Sequence, residues 1–230
     1  MMAGIPTLLW VFGYGSLVWR PGFQTGNTQV GHIEGFARRF WQGNEHHRGS
    51  PGKPGRVATL IQAPGEVTYG VALELPDEAT LDYLNKREIE LGGYEQRVTM
   101  FHPANTTHPP HPVLVYVATG NSSIWLGPAS PAVIAEQVVG SQGQAGTNVE
   151  YVVMLARWHN NNLPGVVDTH LHRVEEAVMK AIDKRGLRVE DFLSRIPGVG
   201  VEGGNDESVI IKKSTNSLVG VIQEYISKCN

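Results

Sequence analysis

Cysteine is almost missing from this 230-residue chain: Cys229 is the only one and has no partner for an internal disulfide. A chain this long buries roughly 70% of its unfolded surface and needs no such staple. A reducing, cytoplasmic setting is therefore expected. Charge of one sign is not in excess either, with 19 Lys and Arg against 22 Asp and Glu and a formal net charge of -3. That balance argues against the basic footprint of a nucleic-acid binder. No apolar run approaches the ~20 residues that span a bilayer. Met1 to Thr7 carry neither the basic region nor the apolar core of a secretory signal. No Gly-Lys-Ser/Thr phosphate loop occurs. Histidine is plentiful, but His46 and His47 are adjacent in a loop, His170 and His172 diverge at a spacing of two on a helix, and cysteine partners are missing. No metal site is expected from such spacing.

The first apolar run is the most informative stretch present. Leu8 to Phe12 reads as a short buried strand, and Gly13-Tyr14-Gly15-Ser16 follows it. Glycines on either side of Tyr14 allow tight turning and close approach of a ligand to the backbone. The amides of Tyr14, Gly15, Ser16 and Leu17 can then point together into an anion- or oxyanion-binding concavity. A plain packing turn explains the same glycines equally well. Val18 stands where a dinucleotide fingerprint requires its third glycine, so that motif is excluded.

Further along, Gln29 to Trp41 suggests a bent or bulged strand pair, and Gln42 to Pro54 a polar loop. Val57 to Gln62 and Val67 to Leu75 read as two strands around Ala63-Pro64-Gly65-Glu66. Asp77 is placed to cap a helix running from Ala79 to Leu91 and stopped by Gly92-Gly93. Strands follow at Gln96 to Phe101 and Val113 to Thr119, then helices at Pro131 to Gly140, Thr147 to Asn160 and Val167 to Lys184. Gly198 to Asp206 reads as a linker, followed by a small strand at Ser208 to Lys213 and a helix at Leu218 to Ile226. Strands early and helices late indicate an α+β fold.

One helix carries an anomaly. Leu81, Leu84, Glu88 and Leu91 share a face, so Glu88 points where apolar side chains point. A carboxylate there must be paired, protonated or employed. Burial and the helix C-terminus both raise its pKa, which makes it a better general base. A structural ion pair with Arg48 or Arg56 is the competing explanation. Glu90 lies about 200° further around the wheel and reads as a surface partner of Lys86. Ser16 has no triad around it, and Tyr151 alone reads as a core tyrosine.

Several longer motifs now fall into one order. They are Val11 to Phe23, Arg38 to Gly43, His47-Arg48-Gly49, Pro51 to Val57, Tyr83-Leu84-Asn85-x-Arg87-Glu88-x-x-Leu91-Gly92-Gly93-Tyr94, Leu126 to Ala129, and Asn148-x-Glu150-Tyr151. In this order and spacing the chain resembles the ChaC-type, glutathione-specific γ-glutamylcyclotransferases from about Leu9 to Ile182. The resemblance implies a γ-glutamylcyclotransferase-like mixed β-barrel flanked by helices. It implies an enzyme that cleaves glutathione to 5-oxoproline and Cys-Gly without ATP, metal or any cofactor. The family's base matches Glu88, although members with shorter spacing to Gly-Gly-Tyr would nominate Glu90. The substrate-binding set implied is Val11, Phe12, Gly13, Tyr14, Gly15, Ser16 and Leu17, together with Arg48 and Tyr151.

A catalytic domain over 8–186 and an extension of unknown role over 187–230 are the expected organisation, because the resemblance ends near that point. Glutathione is the one expected partner, with neither nucleic acid nor membrane involved. Two other readings remain: a cyclotransferase for other γ-glutamyl amino acids or amines, and a non-catalytic module that binds γ-glutamyl compounds. A module that only binds has no need of a base such as Glu88.

Overall fold

In the computed structural model, described here over residues 9–193, five strands close a barrel in the order β1-β3-β2-β4-β5. The strands are β1 (Trp10–Gly13), β2 (Thr28–Asn44), β3 (Gly55–Glu74), β4 (Glu95–Pro103) and β5 (His111–Val117). β1 runs antiparallel to β3 but parallel to β5, where Val11 pairs with Leu114. That single parallel joint makes the barrel mixed, as the resemblance implied.

β2 and β3 form the main wall, and both are longer and less regular than their sequences suggest. β2 is one 17-residue strand, not a strand pair. Its register shifts between Glu34 and Phe36 and again between Arg39 and Gln42, which bends it without breaking it. Gly35 has φ +77° at the first bulge, a conformation that favours glycine. β3 likewise continues through Ala63 to Glu66. Gln62 pairs with Phe36 and Val67 with Glu34, so both flanks run along the same partner in the same direction. The Pro-Gly segment therefore bulges out of the ladder instead of reversing the chain.

The described residues form four α-helices, α1 (Glu78–Asn85), α2 (Pro131–Gly140), α3 (Asn148–Asn162) and α4 (Thr169–Asp183), of which α2, α3 and α4 pack on the barrel wall. Each begins with a side-chain cap, supplied in turn by Asp77, Ser130, Thr147 and Asp168. Such caps satisfy amides the helix cannot and contribute about 1 kcal/mol each. Phe12, Ile33, Phe40 and Phe101 of the barrel pack with Ile134, Val152, Leu155, Leu171 and Val178 of the helices in one core. Buried polar groups tie the layers together. Arg38 Nη1 lies 3.0 Å from Asp168 Oδ2 at the start of α4. Asn148, at the start of α3, accepts the Arg56 amide at 2.6 Å and donates to its carbonyl at 2.9 Å.

Past α4, a 3₁₀ turn at Val189–Phe192 folds back. Val189, Phe192 and Leu193 pack on the core, and Thr147 Oγ1 donates to the Phe192 carbonyl at 2.6 Å. Residues expected to open the extension thus belong physically to the main unit. The linker, strand and helix expected beyond Gly198 lie outside the described residues. Among the described residues no helix is long and apolar enough to cross a membrane.

Candidate active site

The expected helix from Ala79 to Leu91 divides in two. α1 stops at Asn85, and Lys86–Glu90 form a π-helical turn, closed by the Leu91 amide on the Lys86 carbonyl at 3.2 Å. A π turn inserts an extra residue per turn and often marks functional positions. Leu81 and Leu84 are buried as the helix face predicts. Glu88 follows them inward, with its side chain only 16% exposed. Glu90 faces solvent, and no ion pair joins it to Lys86. Gly93, at φ +68°, then turns the chain so that the Tyr94 amide closes on the Glu88 carbonyl at 3.0 Å.

Four buried tyrosines lie close enough to this carboxylate for its charge to act on their hydroxyls. The Tyr14 hydroxyl donates to the Tyr116 carbonyl, and the Tyr94 hydroxyl donates to the Ala58 carbonyl at 2.8 Å. The Tyr151 hydroxyl accepts the Ala58 amide at 3.1 Å, and the Tyr116 hydroxyl donates to Asn85 Oδ1 at 2.8 Å. All four phenols titrate higher than normal, chiefly through burial, and the Glu88 charge adds to each shift. Tyr151 is pushed up to about 12. These hydroxyls therefore stay neutral, able to hydrogen-bond a polar ligand without adding charge.

Glu88 itself is pushed above the usual carboxylate range by burial, while Arg87 pulls it back. Arg87 Nε stands 3.1 Å from Glu88 Oε1. The same guanidinium donates to Ser16 Oγ at 2.8 Å and to the Pro21 carbonyl at 2.6 Å. Arg87 thus connects the carboxylate to the glycine loop. The sequence offered Arg48 or Arg56 as the ion partner of Glu88, and neither fills that role. Arg48 pairs with Glu150 at 2.5 Å, and Arg56 donates to the Phe40 and Gly127 carbonyls at 3.0 and 2.8 Å.

The glycine loop leaves β1 and enters a 3₁₀ turn at Ser16–Val18. Among the described residues, the amides of Tyr14, Gly15, Ser16 and Leu17 donate to no backbone carbonyl outside their own elements. Val11, Phe12 and Leu17 turn their side chains into the core, so only their backbone can meet a ligand. Arg48 is buried, donates to the Thr147 carbonyl at 2.9 Å and lies 6.0 Å from the Tyr151 ring centre. Beside it, His47 is held toward its neutral form by burial and by the charges of Arg87, Arg48 and Arg20. These cations gather at one side of the site, around the loop that Asn44 shapes by accepting the amides of His47 and Arg48 at 2.7 and 2.9 Å.

Tyr94, Tyr116 and Asn85 were not singled out from the sequence as site residues. Tyr94 and Asn85 lie within the Arg87-Glu88 motif, which gave a signal. Tyr116 sits in an apolar strand and gave none. A separate cleft of about 510 Å³, lined in part by Arg38, Arg39, Asp168, His170 and Arg173, shares no residue with the Glu88 cluster.

A largely buried carboxylate with a raised pKa, linked through Arg87 to the glycine loop, is chemically able to exchange a proton with a small polar molecule. The family model of ChaC-like proteins matches residues 9–181, and the chain belongs to that family. It is 46% identical over 177 residues to glutathione-specific gamma-glutamylcyclotransferase 1 of Danio rerio, covering 76% of this chain and 90% of that one. The Homo sapiens protein of the same name is 43% identical over 178 residues, covering 76% and 80%. A crystal structure of the yeast γ-glutamyl cyclotransferase specific to glutathione superposes with a TM-score of 0.67 at 29% identity, covering 75% of this chain and 96% of that one.

Proposed function

We propose that this protein is a glutathione-specific γ-glutamylcyclotransferase whose general base is Glu88. The observation that supports the residue assignment is the position of Glu88, its side chain largely buried and joined through Arg87 to the glycine loop. The names and extent of the relatives support the substrate.

In the reaction, the α-ammonium of the γ-glutamyl unit first gives a proton to the Glu88 carboxylate. The freed amine attacks its own γ-carbonyl carbon and closes a five-membered ring. The bond from that carbon to the cysteinyl nitrogen then breaks as Glu88 returns its proton to the leaving nitrogen. The ring nitrogen gives its second proton to the regenerated carboxylate, which passes it to the released amine, so that the lactam is neutral and Cys-Gly leaves as the ammonium. The products are 5-oxoproline and Cys-Gly, with atoms and electrons balanced and no co-reactant. Attack is intramolecular, so holding the γ-glutamyl chain folded supplies much of the rate.

The residues divide the remaining work. Backbone amides from Gly13 to Leu17 meet the α-carboxylate or the developing oxyanion. Hydroxyls of Tyr14, Tyr94 and Tyr151 orient the substrate. Arg20 and Arg87, with the buried Arg48 behind them, make this side of the site favourable to an anionic tripeptide. The single cysteine fits a reducing, cytoplasmic location. Incubating purified protein with glutathione, and separately with other γ-glutamyl amino acids, tests the assignment. Release of 5-oxoproline and Cys-Gly from glutathione in clear preference supports it, and turnover of the other compounds alone refutes the substrate.

A further inference from the structure

The outer wall of the barrel brings together three metal-ligating side chains that sequence spacing does not reveal. Along β2, Ile33 points into the core, so His32 and Glu34 on either side of it share the outward face. On β4, Phe101 is buried and His102 next to it faces outward. Strand register places His32 directly opposite His102. Their rings stack with centroids 5.2 Å apart and planes 17° apart. One ligand atom from each of His32, Glu34 and His102 lies within 4.8 Å of the others.

We propose that His32, Glu34 and His102 bind a divalent metal ion of the zinc class, clamping β2 to β4. Two imidazoles and one carboxylate form a ligand set that suits zinc, leaving a further position for water. Bonds of ~2.0–2.1 Å at tetrahedral angles put neighbouring donors about 3.4 Å apart. The His32 Nε2 to Glu34 Oε1 separation is already 3.9 Å, too long for a hydrogen bond and close to what shared ligation needs. Small side-chain rotations close the rest. Tyr69, opposite His32 on β3, packs its ring 5.2 Å from the imidazole and restricts its orientation.

The position gives the ion a purpose. β2 meets β4 through three residue pairs, Gly31–Pro103, His32–His102 and Ile33–Phe101, whereas β2 and β3 pair along most of their length. A bound ion links the short joint at its middle pair. Of the histidines singled out in the sequence, His170 and His172 are engaged apart from this cluster: His170 Nε2 accepts the Phe40 amide at 3.1 Å, and His172 Nε2 lies 3.0 Å from Asn160 Oδ1. None of the three proposed ligands belongs to the Glu88 cluster, so the ion is structural and the reaction does not pass through it.

Calorimetric titration of the metal-stripped full chain with Zn²⁺ in thiol-free buffer tests this directly. The expected result is one saturable equivalent and a higher Tm with zinc, both lost in His32→Gln and in His102→Gln. His108→Ala, which changes an exposed histidine outside the cluster, retains them. One equivalent of Cu²⁺ should show an electron paramagnetic signal with two coordinated imidazole nitrogens. Cyclotransferase turnover in His32→Gln should equal that of the parent. Absence of saturable zinc binding, or equal binding by the parent and both glutamine variants, overturns the proposal.

Discussion

A Cβ built on Gly15 would stand 2.6 Å from the hydroxyl oxygen of Tyr151. No real side chain tolerates that approach, so the loop and α3 meet at a distance only glycine permits. The same hydroxyl accepts the Ala58 amide at 3.1 Å, which leaves it little freedom to retreat. The loop that carries the open amides is therefore positioned against a fixed phenol.

Gly15→Ala should consequently displace the loop and lower kcat/KM by roughly 10²-fold, the scale of a 1 Å misplacement near the reacting atoms. Tyr151→Phe removes the obstructing oxygen, so the loss in the double variant should be smaller than the sum of the two single losses, since the two sites are in contact and couple. Steady-state kinetics on the four proteins measures it. A Gly15→Ala enzyme with parental kcat/KM would show that loop position is unimportant.

Arg87 stabilises the ionised form of Glu88, and burial opposes it. Arg87→Gln removes the cation, so the Glu88 pKa should rise further. The acid limb of kcat/KM, which reports the base in the free enzyme, should then move to higher pH. A pH profile separates this from general damage: loss of rate with an unmoved acid limb would assign Arg87 a purely structural role.

Stability should follow the same carboxylate with the opposite benefit. A folded-state pKa above the unfolded value means the folded protein holds the proton more tightly. Stability therefore falls as pH rises through the window between the ordinary carboxylate value and the raised one, and is flat beyond it. Glu88→Gln carries no charge to bury, so its Tm should exceed that of the parent above this window and approach it below. Melting curves at pH 4 and pH 8 check the sign.

Phe192 and Leu193 pack on the core, which locates where the chain can be cut. Deleting Gly203 to Asn230 should leave kcat within a few-fold, whereas deletion from Leu187 should destabilise the fold. The second cut removes the packing of Val189, Phe192 and Leu193 and the Thr147 contact. Loss of turnover in a folded protein shortened at Gly203 would extend the functional domain to the C-terminus.

Much of this was legible because local signals agreed with the global fold. The helix face of Leu81 and Leu84 predicted an inward Glu88, and the cap at Asp77 marked a real helix start. Turn chemistry misled at Ala63-Pro64-Gly65-Glu66, because a Pro-Gly bulge and a Pro-Gly turn share residue types and differ only in what the flanks pair with. The π turn at Lys86–Glu90 has no compositional signature. Tyr116 and the His32–His102 pair depend on strand register across distant segments, which periodicity within one strand cannot supply.

The account's central claim is that Glu88 is the base, and Glu88→Gln assayed for 5-oxoproline release from glutathione tests it most directly. A folded variant with turnover reduced at least ~10²-fold, the scale of a general base, is the predicted result. Turnover by the parent should survive EDTA, because the proposed mechanism draws on no metal. Turnover close to that of the parent in a well-folded Glu88→Gln protein would contradict the account.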